Sequence, residues 1–457
     1  MKNQKETRDR LQVLGVDRLA DELLRMAKLD SAVAAAVNRL TMPREELSHN
    51  IGQRIASLKR RRRFHDWRET DDLAQEMLQL LGDIGSLEQD PAGALPLLEK
   101  FFQTDNPTFE RVDDSSGIIS SVYQYYAAEL FCRIARACPD RALPPKILLR
   151  LLRDDRWDIR LALVDKAAQY LDREEMAALL ESFRQRAVYQ NEGHGVSSDV
   201  HAIESLARQL GDVEVLEFTK RRARGKLYPH DMLELAQVQF ANGDAQAALD
   251  WLDSIPADTR NLMGRDDELR LKVLGALGRT GEQSELALRL FRESLDDAAL
   301  ADLLAIVGEE RRAGIISAEV ERVMAGAQWS LPGALFLQRS GALNEAQDYL
   351  LRWRGAVDGN HYMELRDLAT AMEAAGYPLA AGICYRALLE SILQRAYRKA
   401  YYYAVRYLLQ LDALASQITD WQGIEDHTQY MAALKAQHGR KHSFWKQYAE
   451  RGGGSQK

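Results

Sequence analysis

The sequence predicts an all-α protein in which antiparallel helix pairs stack side by side into an open superhelix, an α-solenoid. A pattern centred on glycine carries most of that expectation: Ala236, Gly243, Ala248 and Leu252 stand in the same relative places as Ala334, Gly341, Ala346 and Leu350, and again as Ala369, Gly376, Ala381 and Tyr385. Composition agrees, because helix formers dominate and only 11 of 457 residues are proline. Alternating Val, Ile and Thr runs, the mark of strands, are absent. A chain this long also exceeds one compact core, so it forms several domains or an elongated array.

Each of the three glycines reads as a joint between two helices. Glycine supplies the positive φ that ends the first helix. The small residues before and after it face each other where the helices cross, and the large residue fills space against the next pair. This pattern resembles the tetratricopeptide repeat, and Gly341 and Gly376 lie 35 residues apart, near that family's period of ~34. The early tryptophan and closing proline of its consensus are mostly missing.

Charge narrows the partners. A net charge of −7 and a pI near 5.8 give no global attraction to nucleic acid or to an anionic membrane, so any basic surface is local. The N-terminus lacks the apolar core of a signal peptide, and no segment approaches the ~20 apolar residues of a membrane span. Cys132, Cys138 and Cys384 are odd in number and lack metal-ligand spacing. The expectation is a reduced, cytoplasmic protein with neither metal nor other cofactor.

Residues 1–105 read as an N-terminal helical region. Leu19, Leu23, Met26 and Leu29, then Val33, Val37 and Leu40, mark two amphipathic helices separated near Asp30 and Ser31. Lys59, Arg60, Arg61, Arg62 and Arg63 form an unbroken basic run, the pattern by which a chain neutralises phosphates. Asp66, Glu69, Asp71 and Asp72 follow at once, so a solvated helix face beside acidic neighbours explains the same letters. Leu73, Met77, Leu80 and Leu81 begin another pair, interrupted at Asp90-Pro91 and closed at Asp105-Asn106-Pro107.

Residues 106–212 read as irregular, HEAT-like helix pairs. Asp113, Asp114 and Ser115 are placed to cap a helix and lack the oxygen spacing of a calcium loop. Ile147, Leu148, Leu151 and Leu152 precede a polar break at Asp154-Asp155, after which Ile159, Leu163 and Ala167 continue the stripe. His194, Ser197, Ser198, Asp199 and His201 hold the parts of an activated nucleophile. Sequence neighbours on one loop seldom converge, and Ser198 or Asp199 as a helix cap is the simpler reading.

Several patches are similar to a bacterial family known only as a domain of unknown function: RRRRFHDWRETDDLA, FERVDDSSG, YRALLESILQRAYRKAY, RYLLQLDALA and HGRKHSFW. The resemblance runs from about residue 50 to residue 446. It implies an all-helical protein without an assigned activity, and it supplies no catalytic residues. Similar C-terminal regions occur in bacterial proteins with a SWIM zinc finger, but this chain has no CxC pair.

Residues 213–415 carry the tetratricopeptide-like repeats, with a degraded copy at Leu274, Gly281, Leu286 and Leu290. Trp251, Trp329 and Trp353 fall at the ends of second helices, where packing between repeats is expected. No glycine or proline lies between Gly382 and Gly423, yet the repeat register demands a turn near Gln394–Lys399, followed by a core stripe of Ala400, Tyr403, Tyr407, Leu411 and Leu414. Arg398, Tyr402 and Arg406 recur every four residues on another face, a basic and aromatic stripe suited to an acidic peptide, a C-terminal carboxylate or a phosphate.

Residues 416–451 read as C-terminal capping helices and 452–457 as a flexible tail. Arg440, Lys441 and Trp445 belong to a basic, aromatic segment that either docks as a cap over the last repeat or binds a partner. The function that follows is a non-enzymatic helical-repeat scaffold holding a partner protein or peptide on its concave face through Arg398, Tyr402, Arg406, Arg440, Lys441 and Trp445. The alternative is a nucleic-acid binder using residues 59–63 and 435–446.

Overall fold

The computed structural model describes residues 2–189, 198–256, 259 and 265–452. Among them regular structure is helical, apart from one isolated parallel bridge between His65 and Val112. The chain divides into two units, Met1–Asp266 and Asp267–Lys457.

In the first unit, helices Thr70–Gly85, Pro91–Phe102 and Ala128–Arg136 surround an aromatic core. The Phe101 and Tyr123 rings lie 5.4 Å apart, Phe102 and Phe131 6.3 Å, and Phe131 and Tyr170 5.3 Å, all deeply buried. Burying each such ring contributes roughly 1.5–3 kcal/mol. Asp90 caps Pro91–Phe102 by accepting from the Gly93 N–H at 3.1 Å. Asp114 accepts from the Ile119 and Ser120 N–H groups, so the acidic loop there is a cap, as its spacing predicts. The helix it starts passes through a π-helical stretch, Val122–Ala127, before resuming an α pitch.

Two expectations for this unit are corrected. Asp105-Asn106-Pro107 does not simply end a pair; it lies within a short helix, Asp105–Phe109, because Asp105 is anchored by a buried ion pair with Arg160. The second helix of the HEAT-like pair is only Leu161–Asp165, and its N-terminal approach is held by Asp155, whose carboxylate accepts from the Ile159 and Arg160 N–H groups.

The repeat glycines fall where the pattern puts them. Gly243 joins helices Pro229–Ala241 and Ala245–Asp253 with φ +89°. In the second unit Gly341 joins Leu331–Arg339 to Leu343–Arg352 and Gly376 joins Tyr362–Ala374 to Pro378–Gln394, with φ +81° and +83°. Ala236, Ala248, Ala334, Ala346, Ala369 and Ala381 are wholly buried at the crossings. Successive pairs then lie one on the next as in an α-solenoid, Leu331–Arg339 against Tyr362–Ala374 and Leu343–Arg352 against Pro378–Gln394.

The degraded copy differs. Its joint is Gly278, at φ +68°, while Gly281 sits inside helix Thr280–Ser294. The turn after Gln394 is present, made by Ala396 at φ +51° and a short 3₁₀ turn, Arg398–Ala400. Helix Tyr401–Ala415 buries Tyr401, Ala404, Val405, Leu408, Leu411 and Leu414, with Tyr407 close behind; Tyr403 is 52% exposed and leaves the expected core stripe. Helices His427–His438 and His442–Glu450 finish the unit, with Phe444 wholly buried against Tyr401.

Candidate binding groove

The second unit carries a groove of about 670 Å³ between the first helix of the last glycine-jointed pair, Tyr362–Ala374, and the helix that follows that pair, Tyr401–Ala415. Pro378–Gln394 forms its floor, because Ala369 and Ala381 let those two helices approach closely while Tyr385, four residues further on, projects into the gap. The Tyr385 ring stacks on Tyr407 at 5.8 Å, and its hydroxyl donates to Glu373 at 2.8 Å. Burial pushes the Tyr385 hydroxyl up to about 12, so it stays a donor. Gln410 also reaches the Glu373 carboxylate, at 3.4 Å, which leaves that acid committed.

Two arginines border the tyrosines. Burial raises the Tyr407 hydroxyl, and the guanidinium groups of Arg366 and Arg406 pull against that rise, which places both charges near the ring. Arg366 meets only its exposed neighbour Asp367, at 2.8 Å, a contact of the kind that solvent screens strongly. Among the described residues Arg406 makes no ion pair. The groove thus offers one exposed ring, Tyr403, beside cations whose hydrogen-bonding capacity is largely unused, while Tyr385 and Tyr407 are buried in its wall.

Of the residues selected from sequence, the structure brings Arg406 into this groove and leaves the others elsewhere. Arg398 is exposed in the 3₁₀ turn before the helix. Tyr402 lies under the Arg451 guanidinium at 4.3 Å. Arg440 is exposed between the two last helices, and Lys441 occupies the N-cap position of His442–Glu450. Trp445 is half-buried against the core and donates from Nε1 to the His438 carbonyl at 3.0 Å. Trp251, Trp329 and Trp353 likewise pack on core clusters, Trp329 stacking on Tyr349 at 5.4 Å.

The basic run is partly spent inside the first unit. Arg61 meets Glu76 at 2.6 Å, Arg63 pairs with Glu69, and Arg60 donates to the Ala56 carbonyl at 3.1 Å. Lys59 and Arg62 remain exposed. The nucleophile-like cluster does not converge either: Ser198 donates to Asp158 at 2.8 Å, Asp199 pairs with Arg186 at 2.7 Å, and His201 meets Asp165 at 3.0 Å. His194 and Ser197 lie outside the described residues. Among those described, no three His, Cys, Asp or Glu side chains gather as a metal site, and no helix is long and apolar enough to cross a membrane.

Arg366, Glu373, Tyr385, Tyr403 and Gln410 were not singled out as site residues from sequence. Tyr385 is the large residue of the repeat pattern, but nothing in the sequence marks it as bonded to Glu373 at the floor of a groove.

No curated protein matches the chain. Among solved structures it is similar to a circular tandem repeat protein with novel repeat topology and enhanced subunit contact surfaces, at 13% identity over 94% of this chain and 96% of that one. The TM-score is 0.15, too low for the likeness to bear on fold or function. A family model matches residues 3–447, and the chain therefore belongs to a family of unknown function, DUF6880.

Proposed function

We propose that the protein is a non-enzymatic helical-repeat scaffold that binds an acidic, extended segment of a partner protein in the groove between Tyr362–Ala374 and Tyr401–Ala415. One observation carries this reading: Arg406, which has no ion pair among the described residues, stands beside the exposed Tyr403 in an open channel between two helices. Arginine bonds carboxylates with two parallel donors, and tyrosine adds contact area at little entropic cost. The cysteines favour no covalent chemistry, since burial pushes the Cys132 and Cys384 thiols up to about 12.

The test is selection from a library of ten-residue peptides followed by fluorescence anisotropy on the full chain. Acidic peptides containing an aromatic residue are expected to be enriched, and Arg366→Glu combined with Arg406→Glu weakens them by about tenfold or more. Peptides that bind the double variant equally well, or no enrichment at all, overturn the reading. Salt-sensitive binding to RNA or DNA, lost when Lys59 and Arg62 become glutamate, would put the nucleic-acid alternative in its place.

A further inference from the structure

A second cavity of the same unit, about 660 Å³, shares no lining residue with the groove. One wall is helix Pro378–Gln394, another is the loop from Arg354 to Asn360, and a third is the segment from Gly423 to Tyr430. The loop lies hard on the helix at Gly359, and Ser391 ties it down by donating to Asn360 at 3.0 Å.

Three arginines, Arg354, Arg386 and Arg395, and three acids, Asp358, Glu390 and Glu425, line this space without forming an ion pair with one another. Elsewhere in the unit such groups pair readily, as Arg289 does with Asp267 at 2.9 Å and Arg292 with Glu319 at 3.4 Å. Arg386 is held in place: its guanidinium lies between the rings of Trp421 and Tyr430, at 5.2 and 4.2 Å, and donates to the Glu425 carbonyl at 3.0 Å. Arg354 and Arg395 each spend one donor on a backbone carbonyl and keep the rest.

At the buried end stand Tyr430, 5% exposed, and Glu390. The Tyr430 hydroxyl faces the Glu390 carboxylate, in a contact too loose for a well-formed hydrogen bond. A buried hydroxyl held so keeps acceptor capacity for a donor brought into the cavity. Burial also raises the Glu390 carboxyl above the usual range, which a bound cation would reverse.

Glu390 and Arg395 are five residues apart, which sets them about 140° apart around the helix, so they do not face each other as an i,i+4 pair does. Opposite charges that line one cavity without meeting suit a molecule that bears both an ammonium and a carboxylate.

We propose that this cavity binds a small zwitterion of the amino-acid class, its ammonium at Glu390 and Tyr430 and its carboxylate at Arg395 and Arg354. The side chain of the ligand lies against Val357 and Ile383. Arg386 is a positioning residue that fixes Tyr430 and the Glu425 backbone.

Calorimetric titration of the full chain with the free amino acids, and with the N-acetyl and amide derivative of each, tests this. At least one free amino acid is expected to bind with a Kd of about a millimolar or tighter, and blocking either end weakens it about tenfold or more. Glu390→Gln and Tyr430→Phe weaken the free amino acid and leave the N-acetyl derivative unchanged; Arg395→Ala weakens the free amino acid and the N-acetyl derivative and leaves the amide unchanged. No binding by any free amino acid up to about 10 mM, or equal binding of the blocked derivatives, overturns the proposal. The derivative series decides the matter even where a variant fails to fold. Arg406→Glu in the groove changes none of these titrations, so the two readings stand or fall separately.

Discussion

Arg160 and Asp105, 55 residues apart in sequence, face each other as a two-pronged ion pair: Nε to Oδ2 at 2.7 Å and Nη2 to Oδ1 at 2.6 Å. Their side chains are 3% and 0% exposed. The third arginine nitrogen donates to the Leu151 carbonyl at 2.6 Å, so this one side chain joins the short Asp105–Phe109 helix to the end of Leu143–Leu151. Removing one partner strands a charge away from water. Asp105→Ala is expected to destabilise the first unit by about 3–5 kcal/mol in urea denaturation, whereas Asp105→Leu with Arg160→Met loses less than the single variant. Equal losses would show that the pair itself, rather than the stranded charge, sets the cost.

The joint glycines make a second case. A Cβ at Gly243, Gly341 or Gly376 would meet nothing within 4 Å, so the cost of alanine there is backbone conformation alone. Each substitution is expected to cost about 1–2 kcal/mol. Ala346→Leu, which forces volume into a closed crossing, costs about 1–3 kcal/mol for a steric reason instead. Chemical denaturation separates them by addition: Gly341→Ala and Ala346→Leu share one helix pair and should couple, while Gly243→Ala and Ala346→Leu should sum.

Phe444 is buried edge-on to Tyr401 at 5.9 Å and to Trp445 at 4.9 Å. Phe444→Ala is expected to cost about 3–5 kcal/mol. Hydrogen exchange should show the protection of Tyr401–Ala415 falling with it, since that helix loses its cover. If exchange there is unchanged, the last two helices are not a cap.

The contact between His201 and Asp165 predicts a pH dependence. The bond to Asp165 holds the His201 imidazole above its ordinary 6.5 despite burial. Burial alone would raise Asp165, but the bonds from His201 and Ser205 outweigh it and hold the carboxyl below 3.8. The imidazole's contribution to stability is therefore complete below pH 6.5 and lost as pH rises through the higher folded value. The carboxylate's is present above 3.8 and lost as pH falls through the lower one. Both groups are nearly half exposed, so the effect is modest. The gap in Tm between the native chain and His201→Asn should narrow from pH 5.5 to pH 8.5, and a constant gap would remove the linkage.

The joints were legible because their demands are local: a glycine with positive φ between two alanines leaves its mark within a dozen residues. The degraded copy misled because Gly278 and Gly281 are three residues apart and the flanking alanines that would have chosen between them are gone. Spacing from Tyr407 and Leu411 puts Tyr403 in the core; the buried stripe instead centres on Tyr401, Ala404, Leu408 and Leu411, which leaves Tyr403 on its exposed edge. The Arg160–Asp105 pair and the groove were invisible for a different reason. Their parts come from helices far apart along the chain, and charge spacing in one segment says nothing about what another segment presents to it.

Gly359 gives a measure of how little latitude the loop beside the second cavity has. A single added carbon there would stand 2.1 Å from the Ala387 carbonyl oxygen and 2.8 Å from the Ser391 Cβ, inside the radii of both. Nineteen of the twenty amino acids are thus shut out at one position. Any of them would lever the strand of chain from Arg354 to Asn360 away, break the Ser391 tether, and turn a walled chamber into an open shelf.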